Sequence, residues 1–202
     1  MKRTASKIAC IVLGAGSGIR YGGAKQLAKF QGKFLLQNAL NAANASSADY
    51  VYLILGDHSA EILEKIQTGR AQVVFNRDYK TGIASSMKAG ISNLPGDTAG
   101  AIIMVADQPQ LNAKHLDLLI DKFRNSGENR IAALSQNSDP RNPVLIPREL
   151  FSALNQLQGD AGAREFVKKS DRLVLVEITD PNVFLDVDTK EALSDLANQS
   201  TK

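Results

Sequence analysis

The stretch that decides the fold is IACIVLGAGSGIRYGGAKQL, residues 8–27. It begins with six apolar residues in a row and then stops at Gly14. Apolar residues on consecutive positions suit a strand covered on both faces. Gly14, Gly16, Gly18, Gly22 and Gly23 follow, with Arg20 and Lys25 set among them. Glycine lets backbone turn sharply and approach a bulky group closely. Backbone N–H groups beside two positive charges, directly after a first strand, point to a phosphate-bearing ligand.

Working outward, further short apolar runs lie at 50–55 (YVYLIL), 71–75 (AQVVF), 101–105 (AIIMV), 130–134 (RIAAL) and 173–178 (LVLVEI). Between them, helical periodicity covers 34–45, 59–68, 82–93, 112–126, 148–157, 162–169 and 189–198. In the segment at 112–126, Leu116, Leu119, Ile120 and Phe123 form one stripe, with Asn112 as the N-cap. Strand–helix alternation predicts one α/β domain over residues 1–202: a three-layer α/β/α, Rossmann-like arrangement with a mostly parallel sheet. The proline-bearing stretch SQNSDPRNPVLIP (135–147) breaks the rhythm and reads as an inserted loop over a site.

Composition narrows the function classes. With 202 residues the chain is long enough for a sizeable core. Aromatic residues make up 5% and Trp is absent, which disfavours stacking on single-stranded nucleic acid. A net charge of +3 without a Lys/Arg run disfavours a duplex-binding surface. No apolar stretch reaches the length of a membrane span, and the single cysteine, Cys10, reads as a buried strand residue. The cytoplasm is the expected location. His58 and His115 lack ligand spacing and read as surface residues. Ser17, Asp139 and His115 do not make a hydrolytic triad, since no G-x-S-x-G elbow is present.

Two standard phosphate motifs fail. As G-x-G-x-x-G, the loop has Ile19 where the third glycine belongs, and no acidic residue closes a second strand about twenty residues on. As a Walker loop, it has Gln26 after Lys25 instead of Ser or Thr. What remains is a long glycine loop able to wrap a triphosphate.

The loop resembles the L-A-A-G-x-S-x-R-x-G-x-x-K-x-L signature of nucleotidyltransferases related to the molybdenum-cofactor enzymes. Leu13, Ala15, Gly16, Arg20, Gly22, Lys25 and Leu27 match, whereas Gly14 replaces alanine and Gly18 replaces serine. NRDYKTGIASSMKAG (76–90) is similar to that family's second nucleotide segment, and ADQPQL (106–111) to its acidic turn after the central strand. GDAGAR (159–164) and FLDVDTKEAL (184–193) resemble the later motifs of its cytidylyltransferase branch, with Lys190 replacing a common proline.

The resemblance implies the nucleotide-diphospho-sugar transferase type of fold and transfer of CMP from CTP to the phosphate of molybdopterin, with release of pyrophosphate. It implies a nucleotide site made of Leu13, Gly14, Ala15, Gly16, Ser17, Gly18, Arg20, Lys25, Gly82, Ser85, Ser86 and Asp107, with Arg20, Lys25 and Asp107 catalytic. Gln108, Asn142, Pro143, Asp160 and Arg164 would face the acceptor, and Mg²⁺ would sit on Asp107 and Asp188, with Asp186 the alternative. A molybdoenzyme or its chaperone would receive the product. Two carboxylates brought together without a cation repel, so Asp107→Asn is expected to stabilise the metal-free protein. The residues leave open transfer to a sugar or alcohol phosphate, a nicotinamide-dependent oxidoreductase, and a nucleotide-binding module without catalysis.

Overall fold

The computed structural model describes residues 6–16, 18, 21–168 and 170–199. In chain order these form β1 (Lys7–Leu13), β2 (Lys29–Phe30), β3 (Lys33–Phe34), α1 (Leu35–Ala45), β4 (Tyr50–Leu55), α2 (Ser59–Lys65), β5 (Gln72–Phe75) and α3 (Ile83–Ser92). Then come β6 (Thr98–Val105), α4 (Ala113–Asn125), β7 (Ile131–Gln136), β8 (Asp139–Pro147), α5 (Phe151–Leu154), α6 (Ala163–Lys168), β9 (Leu173–Glu177) and α7 (Lys190–Gln199). All strands but the small β2–β3 pair join one seven-stranded sheet in the order β5-β4-β1-β6-β8-β7-β9.

β1 is parallel to both of its neighbours, β4 and β6. The chain leaves β1 toward β4 on one side and later returns through β6 on the other. The connections after β1 and β6 therefore diverge, and a crevice opens beyond their carboxyl ends. In open α/β sheets this reversal point is where ligands bind.

Strand alternation divides the core between the two faces of the sheet. Ile8, Cys10 and Val12 point to the layer of α1, α2 and α4, where Leu40, Ile62, Leu119 and Phe123 are buried. Ala9, Ile11 and Leu13 point to the layer of α3, α5 and α6, with Met87, Leu154 and Val167. This is the three-layer arrangement expected from the alternation of runs. α4 starts as expected at Asn112, whose side chain accepts from Lys114 N–H; the His115 ring accepts from Asn112 N–H and completes a capping box. His115 is thus a helix-capping residue, not a free surface side chain.

The stretch 135–147 is not a loop over the site. It forms the end of β7 and all of β8, which runs antiparallel to both β6 and β7. Asn137 and Ser138, between the paired Gln136 and Asp139, both take positive φ (51° and 62°), as a two-residue hairpin turn of the primed kind requires. The Glu177 side chain on β9 ties the turn down, accepting from Ser135 Oγ (2.7 Å) and from the N–H groups of Asn137 and Ser138. Pro143 persists within β8 because the ladder shifts there: Ala133 pairs with Val144 but Leu134 with Arg141, leaving Asn142 and Pro143 as a bulge, whereas Pro140 lies beyond the residues that pair with β6 and faces only Ser135 of β7. The expected helix at 148–157 is shorter, a 3-10 turn (Arg148–Leu150) running into α5.

A third, small cluster lies apart from the sheet. Phe30 and Leu35 pack with Val187 and Leu196. The β2–β3 hairpin region, together with Tyr21, thereby packs against the C-terminal segment.

The exposed Ser138 lies in a left-handed conformation that costs an L-residue about 1 kcal/mol. Ser138→Gly is expected to raise the thermal midpoint by up to about 2–4 °C. An unchanged or lowered midpoint in a calorimetric scan would contradict the hairpin.

Candidate active site

A cavity of about 1000 Å³ opens at the reversal point between β1 and β6. Of the residues expected at the nucleotide, Leu13, Ala15, Gly16, Gly18, Lys25, Gly82, Ser86 and Asp107 line it, together with Asp160 and Asp188. Ser17 and Arg20 lie outside the described residues.

The centre of the cavity is an ion-pair bridge. Lys25 Nζ donates to Asp107 Oδ2 at 2.6 Å and to Asp188 Oδ1 at 3.1 Å. Lys25 opens a 3-10 turn, Lys25–Leu27, at the far end of the glycine loop. Asp107 follows the end of β6, and Asp188 precedes α7. The last two are brought together by a backbone contact: Val187, fully buried, donates its N–H to the Asp107 carbonyl at 3.0 Å. Gln108 Nε2 adds a second tie, to Asp186 Oδ1 at 2.9 Å. Burial alone would lower the Lys25 pKa, yet the Asp107 and Asp188 carboxylates hold it above its usual value. Among the described residues, Lys25 supplies positive charge to both carboxylates of this pair. Asp186 is raised, first by desolvation and then by the nearby Asp107 and Asp188 charges.

The same carboxylates suit a hard divalent ion. Asp107 Oδ1 is buried and has no hydrogen-bond partner, leaving a lone-pair-bearing oxygen free beside Asp188. Among the described residues no group of three or more His, Cys, Asp or Glu side chains is arranged to hold a metal. Mg²⁺ needs no such cage, since it keeps waters and takes one or two carboxylates plus phosphate oxygens.

The glycine loop is held by a residue that sequence reasoning passed over. Gln26, only 6% exposed, donates from Nε2 to the carbonyls of Gly14 (2.8 Å) and Gly16 (2.5 Å). The only hint was its place after Lys25, where it merely broke the Walker pattern. Gly14 N–H is anchored to Ile54 O at 2.9 Å, which ties the loop to β4. The glycine at 18 has a structural reason. Its φ is +62°, and a β-carbon there would stand 1.9 Å from the Gly23 carbonyl oxygen, so the serine usual in the resembled signature does not fit this loop conformation.

The second segment contributes unequally. Ser86 lines the cavity, whereas Ser85 faces a neighbouring groove of about 640 Å³ and donates to Gly82 O. Buried Asn76 donates to both hydroxyls, at 2.8 and 3.0 Å, and so orders the start of α3. Gly82 is required: a β-carbon would lie 2.3 Å from Gly159, whose carbonyl accepts from Ala84 N–H. This contact brings the GDAGAR loop to the cavity and places Asp160 on its wall. Asp57, Tyr21, Tyr79 and Lys80 also line it; Tyr21, Tyr79 and Lys80 lie within the two recognised segments but at positions singled out for no role, and Asp57 lies in no recognised segment.

Of the residues expected at the acceptor, Gln108, Asn142, Pro143 and Arg164 are not on the cavity wall. Gln108 positions Asp186, and Arg164 is engaged by Asp139 (2.6 Å) and the Pro140 carbonyl (2.9 Å). Asn142 and Pro143 sit in the β8 bulge, where Asn142 Oδ1 is buried without a partner.

Residues 10–173 match the model of the MobA-like NTP transferase domain. The chain belongs to that family. Nicotine blue oxidoreductase of Paenarthrobacter nicotinovorans is 30% identical over 192 residues, covering 91% of this chain and 93% of that protein. The purine catabolism protein PucB of Bacillus subtilis (strain 168) is 28% identical over 193 residues, covering 90% and 91%. Among solved structures, a homologue of Mycobacterium tuberculosis Rv0371c from Mycobacterium sp. strain JC1 matches with a TM-score of 0.85 at 25% identity, over 98% of each chain. Rv0371c from M. tuberculosis H37Rv, solved as a complex with manganese, matches at 0.75 and 23% identity, over 96% of this chain and 99% of that one.

The bridge reverses the expected effect of Asp107→Asn on the metal-free protein. Removing this carboxylate leaves a half-buried ammonium still in contact with Asp188, at a cost of about 1 kcal/mol. A lowering of the thermal midpoint by about 2–4 °C is expected in the presence of chelator. A rise would show that carboxylate repulsion outweighs the ion pair.

Proposed function

We propose that this member of the MobA-like family transfers a nucleotidyl group from a triphosphate, CTP in the first instance, to a phosphorylated acceptor, with release of pyrophosphate. The observation that supports it best is the Lys25–Asp107–Asp188 bridge at the mouth of a glycine loop. Nucleotidyl transfer needs little covalent chemistry from protein. It needs an attacking phosphate held in line and positive charge on the leaving pyrophosphate.

The chain's residues suit those tasks. The glycine loop, held open by Gln26, offers backbone N–H groups and close approach to a triphosphate. Lys25 reaches the leaving phosphates from the end of that loop, and Arg20 is proposed to add charge from within it. Ser86 and Gly82 lie where the nucleoside would rest, and Asp160 faces the acceptor side. Asp107 and Asp188 would hold Mg²⁺ or a like ion, which neutralises the two phosphate anions that must meet. The acceptor we favour is molybdopterin, on the strength of the resemblance in ADQPQL and GDAGAR; delivery of the product to a molybdoenzyme or its chaperone belongs to the same reading.

A second reading has one observation in its favour: a relative 30% identical over nearly the whole chain is named an oxidoreductase. Two assays separate the readings. With CTP, divalent metal and a phosphorylated pterin, the transferase releases pyrophosphate. Lys25→Ala should lower that rate about 10²–10³-fold while the protein stays folded. Wild-type turnover in that variant removes Lys25 from the mechanism. Loss of nicotinamide absorbance with no pyrophosphate release would instead establish the oxidoreductase.

A further inference from the structure

The residue proposed to meet the pyrophosphate is already committed elsewhere. Lys25 Nζ lies 2.6 Å from Asp107 and 3.1 Å from Asp188, the pair proposed to hold the metal. An ammonium that contacts both carboxylates occupies the space a bridging divalent ion needs. Two cations a few Å apart in a half-buried site repel strongly enough to cost at least about tenfold in affinity. Lysine can yield that position, because its four-carbon stem is flexible and its charge is a compact point. The walls beside it include Gly16 and Gly18, which carry no side chain to block its swing.

We propose that Lys25 is a built-in counter-ion gate: it bridges Asp107 and Asp188 in the nucleotide-free protein, opposes entry of a divalent ion there, and is drawn off by an incoming triphosphate. The proposal rests on the transferase reading of the site and adds an order to it. Triphosphate gives the ammonium a new anionic partner, and its departure removes one cation from between the two carboxylates. Metal and nucleotide therefore bind with positive coupling, which by linkage is equal in both directions.

The test is Mn²⁺ binding to the metal-free protein, read from the free-ion signal in electron paramagnetic resonance. Wild type, Lys25→Met and Lys25→Arg are titrated without nucleotide, and again with a CTP analogue whose α,β-bridging atom is carbon. Lys25→Met should bind Mn²⁺ at least about tenfold more tightly than wild type when no nucleotide is present, whereas Lys25→Arg stays near wild type. Addition of the analogue should tighten Mn²⁺ binding in wild type by a larger factor than in Lys25→Met. Equal or weaker Mn²⁺ binding by nucleotide-free Lys25→Met overturns the gate while leaving the transferase reading intact. Absence of Mn²⁺ binding in every protein, with or without the analogue, overturns both. Should Lys25→Met fail to fold by circular dichroism, wild type decides alone: a Mn²⁺ affinity that does not rise on adding the analogue refutes the proposal.

Discussion

An ammonium held between two carboxylates is a strong contact only where its surroundings fix all three groups. Lys25 comes from the end of a glycine loop, Asp107 from the turn after β6, and Asp188 from the approach to the last helix. Lys25 is 82 residues from one partner and 163 from the other, so the bridge exists only when the whole sheet is assembled. It also ties the C-terminal segment to the central strands, alongside the Val187–Asp107 backbone bond and the packing of Val187 and Leu196 against the β2–β3 hairpin. Site and fold are thus closed by the same few contacts.

Topology explains why the site lies where it does. Connections that diverge from β1 and β6 leave a crevice without any special cavity-forming residue, and β1, buried from Ile8 to Leu13, lies beneath it. Glycines are used where backbone must pass close to backbone: Gly18 against Gly23, and Gly82 against Gly159. Those two approaches bring the phosphate loop and the GDAGAR loop to one cavity.

Much of this was legible in the chain. The buried strands announce themselves as unbroken apolar runs, and α4 by its stripe and its Asn112 cap. Asp107 and Lys25 were legible because each follows a recognisable element. What stayed hidden was of a different kind. β8 was read as a loop because its prolines normally exclude a strand from the middle of a sheet; Pro143 is accommodated by a bulge and Pro140 lies beyond the pairing with β6, features of pairing that no single strand displays. Gln26 carries no motif, and its role depends on two carbonyls ten and twelve residues away. Most consequential, sequence placed Lys25 and the carboxylates at one site but not in contact. Distances of this kind are set by how β1, β6 and the C-terminal segment stack, which spacing does not encode. Family membership then agrees with the chemistry the site suggests, while the oxidoreductase among its relatives shows that one scaffold can be put to different uses.

The central claim is that Lys25, Asp107 and Asp188 form one device for handling a triphosphate and its metal. Its most direct test is a crystal grown with Mn²⁺ and the CTP analogue, with anomalous scattering recorded from the manganese. The account predicts an anomalous peak between Asp107 and Asp188, with Lys25 Nζ displaced from both carboxylates and in contact with a phosphate oxygen. A peak elsewhere in the molecule, or nucleotide bound with the lysine still bridging the two aspartates, would contradict it.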